Sequence, residues 1–388
     1  MVEASAPLLV SIPAVRQECK IAVAIPASNE EATIEAALTP FVLQYDSALR
    51  QVAYDSYEII VFVNRSYDET ARRARAFKAK HPEIALHVLE QHSVDAQPHA
   101  GHARGAVMAL AAERMTTSGR RGIVATTDAD SRVGDQWIAA TLRALSHVDA
   151  VGGHIIPDIP LDDLERTSIE RDQEYRNALV RLETLLDPVP WDPWPRHGNH
   201  QGASLALHAL AFNRVGGVPL VPVLEDIGLY RALLLEDLRF KHDLGVKVIT
   251  STRRTGRVPG GFASDLEAID AHLRGQRHYL VENPGRLASS MRARGMIRKL
   301  WLQRSHANRE LEALAGEALQ IEPKDVRLRV NACRTAGRAI AHFKLDPWRR
   351  DQHDDLVPFD RALEIVTMLA RNPATIEPFV DVYTDMAR

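Results

Sequence analysis

Asp128 and Asp130 close an apolar run that reads RGIVATTDADSR. IVATT has the composition of a buried strand, and side chains two apart on a strand point to the same face. Both carboxylates can therefore enter one crevice at the strand's carboxyl end, where open α/β sheets bind ligands. Two hard oxygen donors there suit Mg2+ or Mn2+ held jointly with substrate phosphates. A lone D-x-D also reads as a turn with an aspartate cap for the next helix. The surrounding elements and motifs have to separate the two.

Those elements alternate. KIAVAIPASN, YEIIVFVN, IALHVLEQ and GIVATTDAD are apolar runs, each closed by polar residues. EEATIEAALTPFVLQ, DETARRARAFKAKH, GHARGAVMALAAERM and DQWIAATLRAL follow them with helical spacing. Strands alternating with helices predict a mostly parallel sheet covered on both faces. Beyond the short apolar AVGGHI the regularity breaks. DDLERTSIERDQEYRNALVRLETLL predicts one long amphipathic helix, ended by the Pro-rich PVPWDPWP with Trp191 and Trp194. After Phe262 helical periodicity dominates. The expected division is 1–260 for the α/β domain and 261–388 for a helical C-terminal extension.

Three further strand ends carry polar groups. IPASNEE places Pro26, Ala27, Asn29 and Glu30 after the first strand, where Asn29 and Glu30 suit the edges of a flat base or sugar, or simply cap a helix. VNRSYDET places Asn64, Ser66 and Asp68 after the second. An amide such as Asn64 both donates to and accepts from a nucleobase edge, whereas Asp68 also reads as a helix cap. QHSVDAQPHAGHARGA gathers His92, His99, His102 and Arg104 around Gly101 and Gly105. Glycine admits a ligand close to the backbone, and an arginine fork complements a diphosphate. The histidine spacing matches no helical zinc-ligand face.

These motifs, in this order and followed by LEDIGL, resemble glycosyltransferase family 2 over roughly Lys20 to Gly261. The resemblance implies a GT-A fold, a nucleotide-diphosphate sugar donor (a UDP- or GDP-sugar) and a divalent metal, Mn2+ or Mg2+. It puts Pro26, Ala27, Asn29 and Glu30 on the nucleotide. It puts Gly101 and Arg104 near the diphosphate and the metal pair on Asp128 and Asp130. The general base falls on Asp226, with Glu225 beside it. The family's second-strand motif usually begins with paired aspartates, one of which reads uracil. Val63 and Asn64 stand there instead, which leaves the base open. His242 could approach the metal, as late histidines do in some GT-A enzymes. His200, Gln201 and Gly202 could line the acceptor cleft, and Arg253, Arg254 and Arg257 could meet a phosphate.

In chemical terms, a cation at the two aspartates would neutralise the leaving diphosphate. A carboxylate on the sugar's other face would take the acceptor's proton. Adjacent Glu225 and Asp226 repel, raising one pKa toward the working pH. The reading is an inverting, non-processive transferase. A fold that binds a sugar nucleotide without catalysis is the alternative. A second Glu-Asp pair, Glu236 and Asp237, shows that the dipeptide alone proves nothing.

Composition narrows the partners. A net charge of -3 carries no nucleic-acid or polybasic signature. Two distant cysteines, Cys19 and Cys333, fit a reducing compartment rather than a disulfide framework. No apolar stretch approaches the roughly 18 residues needed to span a bilayer. The N-terminal APLLVSIPAV, broken by Pro13, makes a poor signal peptide. The expected location is cytoplasmic. The acceptor, a small molecule, lipid or saccharide, is not readable, and the helical tail suits either the acceptor side or a homodimer contact.

Overall fold

The computed structural model describes residues 12–91, 100–117, 122–158, 162–221, 224–251, 262–345 and 355–372. Three apolar runs form the adjacent parallel strands β1 (Ile21–Ala27), β2 (Tyr57–Asn64) and β3 (Ala85–Gln91). Every residue of β2 is buried, as expected for a strand covered on both faces. The other strands are β4 (Ile123–Thr126), β5 (Ser131–Val133), β6 (Ala150–Pro157), β7 (Leu205–His208) and β8 (Phe240–Thr250). All eight join one mixed sheet in the order β3-β2-β1-β4-β7-β6-β8-β5. β7 is antiparallel to β4 and β6, and β5 is antiparallel to β8; the other pairs are parallel.

Register decides what meets at the carboxyl edge. Ala27 lies beside Val63, and Ala24 beside Thr126, so β1, β2 and β4 deliver their following loops to one side. β7 runs the other way and pairs Leu205 with Thr126. Its leading residues therefore arrive at the same edge as Asp128. Helices α2 (Thr70–Lys80) and α3 (Ala100–Thr117) cover this half, while α1 (Ile34–Leu38) packs on α2 and β5, and α4 (Trp137–Ala144) on β8. In α2 the buried Thr70, Ala71, Ala74 and Phe77 form the helical stripe that the sequence spacing predicts. Glu58, buried on β2, takes two 2.7 Å bonds from Arg114 of α3, which compensates a charge otherwise costly inside a sheet.

Two compact units emerge. One holds 1–158, 199–233 and 238–252; the other holds 159–198, 234–237 and 253–388. The segment 159–198, expected with the α/β domain, clusters instead with the C-terminal helices. The first unit also contains α6 (Ala209–Arg214) and most of α7 (Glu225–Leu235).

The second unit contains α5 (Asp163–Leu186), the long helix expected before the Pro-rich stretch. It also holds α8 (Phe262–Leu273), α9 (Pro284–Leu302), α10 (Arg309–Leu319), α11 (Pro323–Asn331), α12 (Ala336–His342) and α13 (Phe359–Arg371). A short antiparallel pair, β9 (Leu280–Glu282) and β10 (Leu356–Pro358), interrupts them. Its cores are Ile297, Val326, Ala339 and neighbours on α9–α12, and Tyr175, Leu182, Phe359 and Val366 on α5 and α13. Among the described residues no helix is long and apolar enough to cross a membrane.

Candidate active site

The loops after β1 and β2 are stitched to each other. Asn29, at φ +52°, donates its N–H to Ser66 Oγ at 2.8 Å, and its Oδ1 accepts from the Tyr67 N–H at 2.9 Å. The Glu30 N–H donates to Thr70 Oγ1, and the Glu31 N–H to Asp68 Oδ2. Asp68 also accepts from Ser66, the Thr70 hydroxyl and the Thr70 N–H. Burial opposes its ionisation, but these bonds outweigh it and hold its pKa at about 2. Part of the polarity expected to meet the nucleotide is thus spent locking the loops. The Asn29 carbonyl is occupied, and the Glu30 carboxylate accepts from the Thr33 hydroxyl at 2.7 Å. Pro26 is partly buried and Ala27 buried at the end of β1. Asn64 differs: it is 6% exposed, and its Oδ1 has no hydrogen-bond partner among the described residues.

Arg104 is the centre of the other half. It stands on the second turn of α3 and is 7% exposed. Its Nε donates to Glu225 Oε1 at 2.9 Å and its Nη2 to Asp128 Oδ1 at 2.8 Å. Its Nη1 donates to Thr126 Oγ1 and to the Gly202 carbonyl, both at 3.1 Å. Burial works against the charge, but Asp128, Glu225 and Asp226 outweigh it and hold the guanidinium ionised. The fork expected at a diphosphate joins the aspartate after β4 to Glu225 of α7. Gly101, one turn earlier, lets α7 approach: a Cβ there would lie 3.0 Å from Glu225 Cβ. At Gly202 a Cβ would lie 2.3 Å from the guanidinium carbon, so a side chain there would have to displace Arg104.

Asp226 opens α7 and is partly buried. Its Oδ2 accepts from the Gly202 N–H at 2.9 Å and its Oδ1 from the Ile227 N–H at 2.8 Å. Burial raises its pKa; Arg104 pulls it down, Glu225 pushes it up, and the balance is upward. The structure therefore brings Arg104, Asp128, Glu225 and Asp226 together with the start of β7, although they are far apart in sequence. Asp128 keeps a third of its side chain exposed, and Asp130, two residues on, is also partly exposed.

His200 and His242 join Tyr230 of α7 in a cluster of rings. His200 stacks on Tyr230 with centroids 4.4 Å apart, and His242 packs edge-on to that pair and against Phe240 at 4.9 Å. They are 2% and 6% exposed. Among the described residues no three His, Cys, Asp or Glu side chains are grouped to hold a metal ion. His92, His99, Arg253, Arg254 and Arg257 lie outside the described residues.

Sequence reasoning overlooked one support. A Cβ on Gly153 would lie 2.0 Å from Ser204 Oγ, and one on Gly152 would lie 2.4 Å from the Asn199 carbonyl. The paired glycines of AVGGHI let the segment leading into β7 press against β6, where Trp137 Nε1 donates to Ser204 Oγ at 3.0 Å. Two adjacent glycines inside a strand pattern were the available signal.

The sheet is mixed, helices flank it, and acids gather at its carboxyl edge. Residues 22–193 match the family model described as Glycosyl transferase family 2. No curated protein matches the chain. Among solved structures it is similar to S. aureus TarS 1-349 in complex with UDP, at 13% identity over 91% of this chain and 92% of that one, with a TM-score of 0.41. It is also similar to the mannosyltransferase PcManGT from Pyrobaculum calidifontis in complex with GDP-Man and Mn2+, at 16% identity over 94% and 89%, TM-score 0.40. A third is glucosyl-3-phosphoglycerate synthase from Mycobacterium tuberculosis with Mn2+, UDP and phosphoglyceric acid, at 19% identity over 70% and 86%, TM-score 0.37.

Proposed function

We propose that the protein moves a sugar from a nucleotide diphosphate, a UDP- or GDP-sugar, to an acceptor hydroxyl in one inverting displacement without processivity. The observation that carries this reading is the group Asp128–Arg104–Glu225–Asp226 at the carboxyl edge of the sheet. Asp226 has the raised pKa a general base needs and stands on a rigid helix start. It would take the acceptor's proton as attack begins.

Asp128 and Asp130 supply hard carboxylate oxygens, the donor chemistry that suits Mg2+ or Mn2+. Two carboxylates fit a cation whose remaining ligands are diphosphate oxygens and water. When bound, the metal neutralises charge on the leaving diphosphate. Arg104 holds Asp128 in place for that task and sets the field at Asp226. Asn64 offers an amide to the base.

The test is melting temperature and turnover with UDP, GDP and their sugar conjugates, with and without Mn2+. A ligand that binds only the folded state raises the melting temperature. A metal-dependent shift for one nucleotide, with release of that nucleoside diphosphate in the presence of an acceptor, supports the reading. Asp226→Asn should keep the shift and lose turnover by about 100-fold or more. Full activity in that variant removes the base assignment. Binding without turnover in the native chain across an acceptor panel makes the protein a sugar-nucleotide binder instead.

A further inference from the structure

We infer that Tyr67 is the stacking platform for the donor's nucleobase and so sets how tightly the base is held; this rests on the nucleotide-sugar reading above. Tyr67 is 82% exposed, more than any other large apolar or aromatic side chain among the described residues. Its backbone is nonetheless fixed. Its N–H is held by Asn29 Oδ1, and its neighbours Ser66 and Asp68 are bonded to each other and to the β1 loop. A locked backbone therefore presents a flat ring to water, where nothing in its own unit rewards it.

Three residues earlier lies Asn64, 6% exposed, its Oδ1 without a partner among the described residues. A buried acceptor without a donor costs free energy unless a ligand supplies one. The connection after β2 thus holds an acceptor for an N–H edge and a ring for a π face. A nucleobase carries both features, whereas a sugar or a phosphate has no ring π face. The segments 28–33 (SNEEAT) and 127–130 (TDAD), which follow β1 and β4, contain no aromatic residue that could take the role.

Calorimetric binding of the nucleotide that the native protein prefers, with Mn2+, tests the assignment in Tyr67→Ala and Tyr67→Phe, alongside inorganic pyrophosphate as a baseless probe. Stacking on an aromatic ring predicts a roughly 5- to 100-fold weaker nucleotide for Tyr67→Ala, and near-native affinity for Tyr67→Phe. Pyrophosphate affinity should stay unchanged in both. In turnover, donor KM should rise while kcat and acceptor KM hold. Melting temperatures without ligand should match the native value, since the side chain is exposed. Unchanged nucleotide affinity in Tyr67→Ala, a parallel loss of pyrophosphate, or a change confined to acceptor KM overturns the inference while leaving the transferase reading intact. Native protein that binds no nucleotide at all removes the nucleotide-sugar reading, and this inference with it.

Discussion

Arg104 shows how one side chain can join two jobs. Through it Asp128 at the end of β4 and Glu225 at the start of α7 are one charge network. The network leaves Gly202 no room for a side chain. Gly202→Ala should push the guanidinium off its partners and lower stability by about 3 kcal/mol, since it strands buried charge. Misplacing the acids by an ångström should cost activity about 100-fold; thermal melts and initial rates measure both. The pH profile gives a finer reading. With the Asp226 pKa raised, kcat/KM should begin to fall on the acid side at a pH above the ordinary aspartate value of about 4. Glu225→Gln removes the like charge and leaves Arg104 freer to stabilise the Asp226 anion. Both effects lower the pKa, so the acid limb should move to lower pH. A limb that stays put would show that another group controls it. In sequence, Asp128 and Asp226 were legible as acids at element ends. The role of Arg104 was not, because only the register of β7 against β4 brings the Gly202 carbonyl and Asp128 around it.

At the scale of elements, the stitched β1 and β2 loops depend on Asp68. Its pKa is about 2 in the fold against roughly 4 in an unfolded chain. A depressed carboxylate contributes stability that is complete above the unfolded value and is lost as pH falls through the folded one. Asp68→Ala should therefore destabilise the protein by about 1–3 kcal/mol at pH 7. The difference between variant and native stability should shrink between about pH 4 and pH 2, as denaturation at several pH values reports. A constant difference would mean that the carboxylate's charge is irrelevant to the loop. Strands and helices themselves were readable: β1, β2 and β4 are unbroken apolar runs, and the buried positions of α2 recur at helical spacing. Loop geometry was not, because the same Asn, Ser and Asp that bind ligands also bond backbone N–H groups. Asn29 and Glu30, expected on a nucleotide, each also bond within these loops.

Across the whole molecule, the path of the chain departs most from what periodicity predicts. Helical spacing identified α5 correctly as a long helix, yet sequence order grouped it with the strands before it. Its contacts are with α8, α9 and α13. An apolar core shared with α13 and a buried charge network with α9 hold it there, and no local pattern reveals either. Asp187, just past α5, takes bonds of 2.6 Å from Arg294 and 2.8 Å from Arg298 of α9. Glu183 on α5 takes 2.6 Å bonds from Arg294 and Arg196. Burial alone would push the Asp187 carboxyl up, but the two arginines hold it below the usual range. Asp187 and Arg294 are nearly inaccessible, so neither charge can find water if its partner is lost. Asp187→Ala should therefore cost about 3–5 kcal/mol, far more than an exposed pair would. Replacing Asp187 and Arg294 together with apolar residues should cost less than the single change, because no charge is then stranded. Amide exchange should report the loss as faster exchange in α5 and α9, with β1 and β2 unaffected while the native state still dominates. Exchange that accelerates equally in the strands would instead mean that the two units unfold as one.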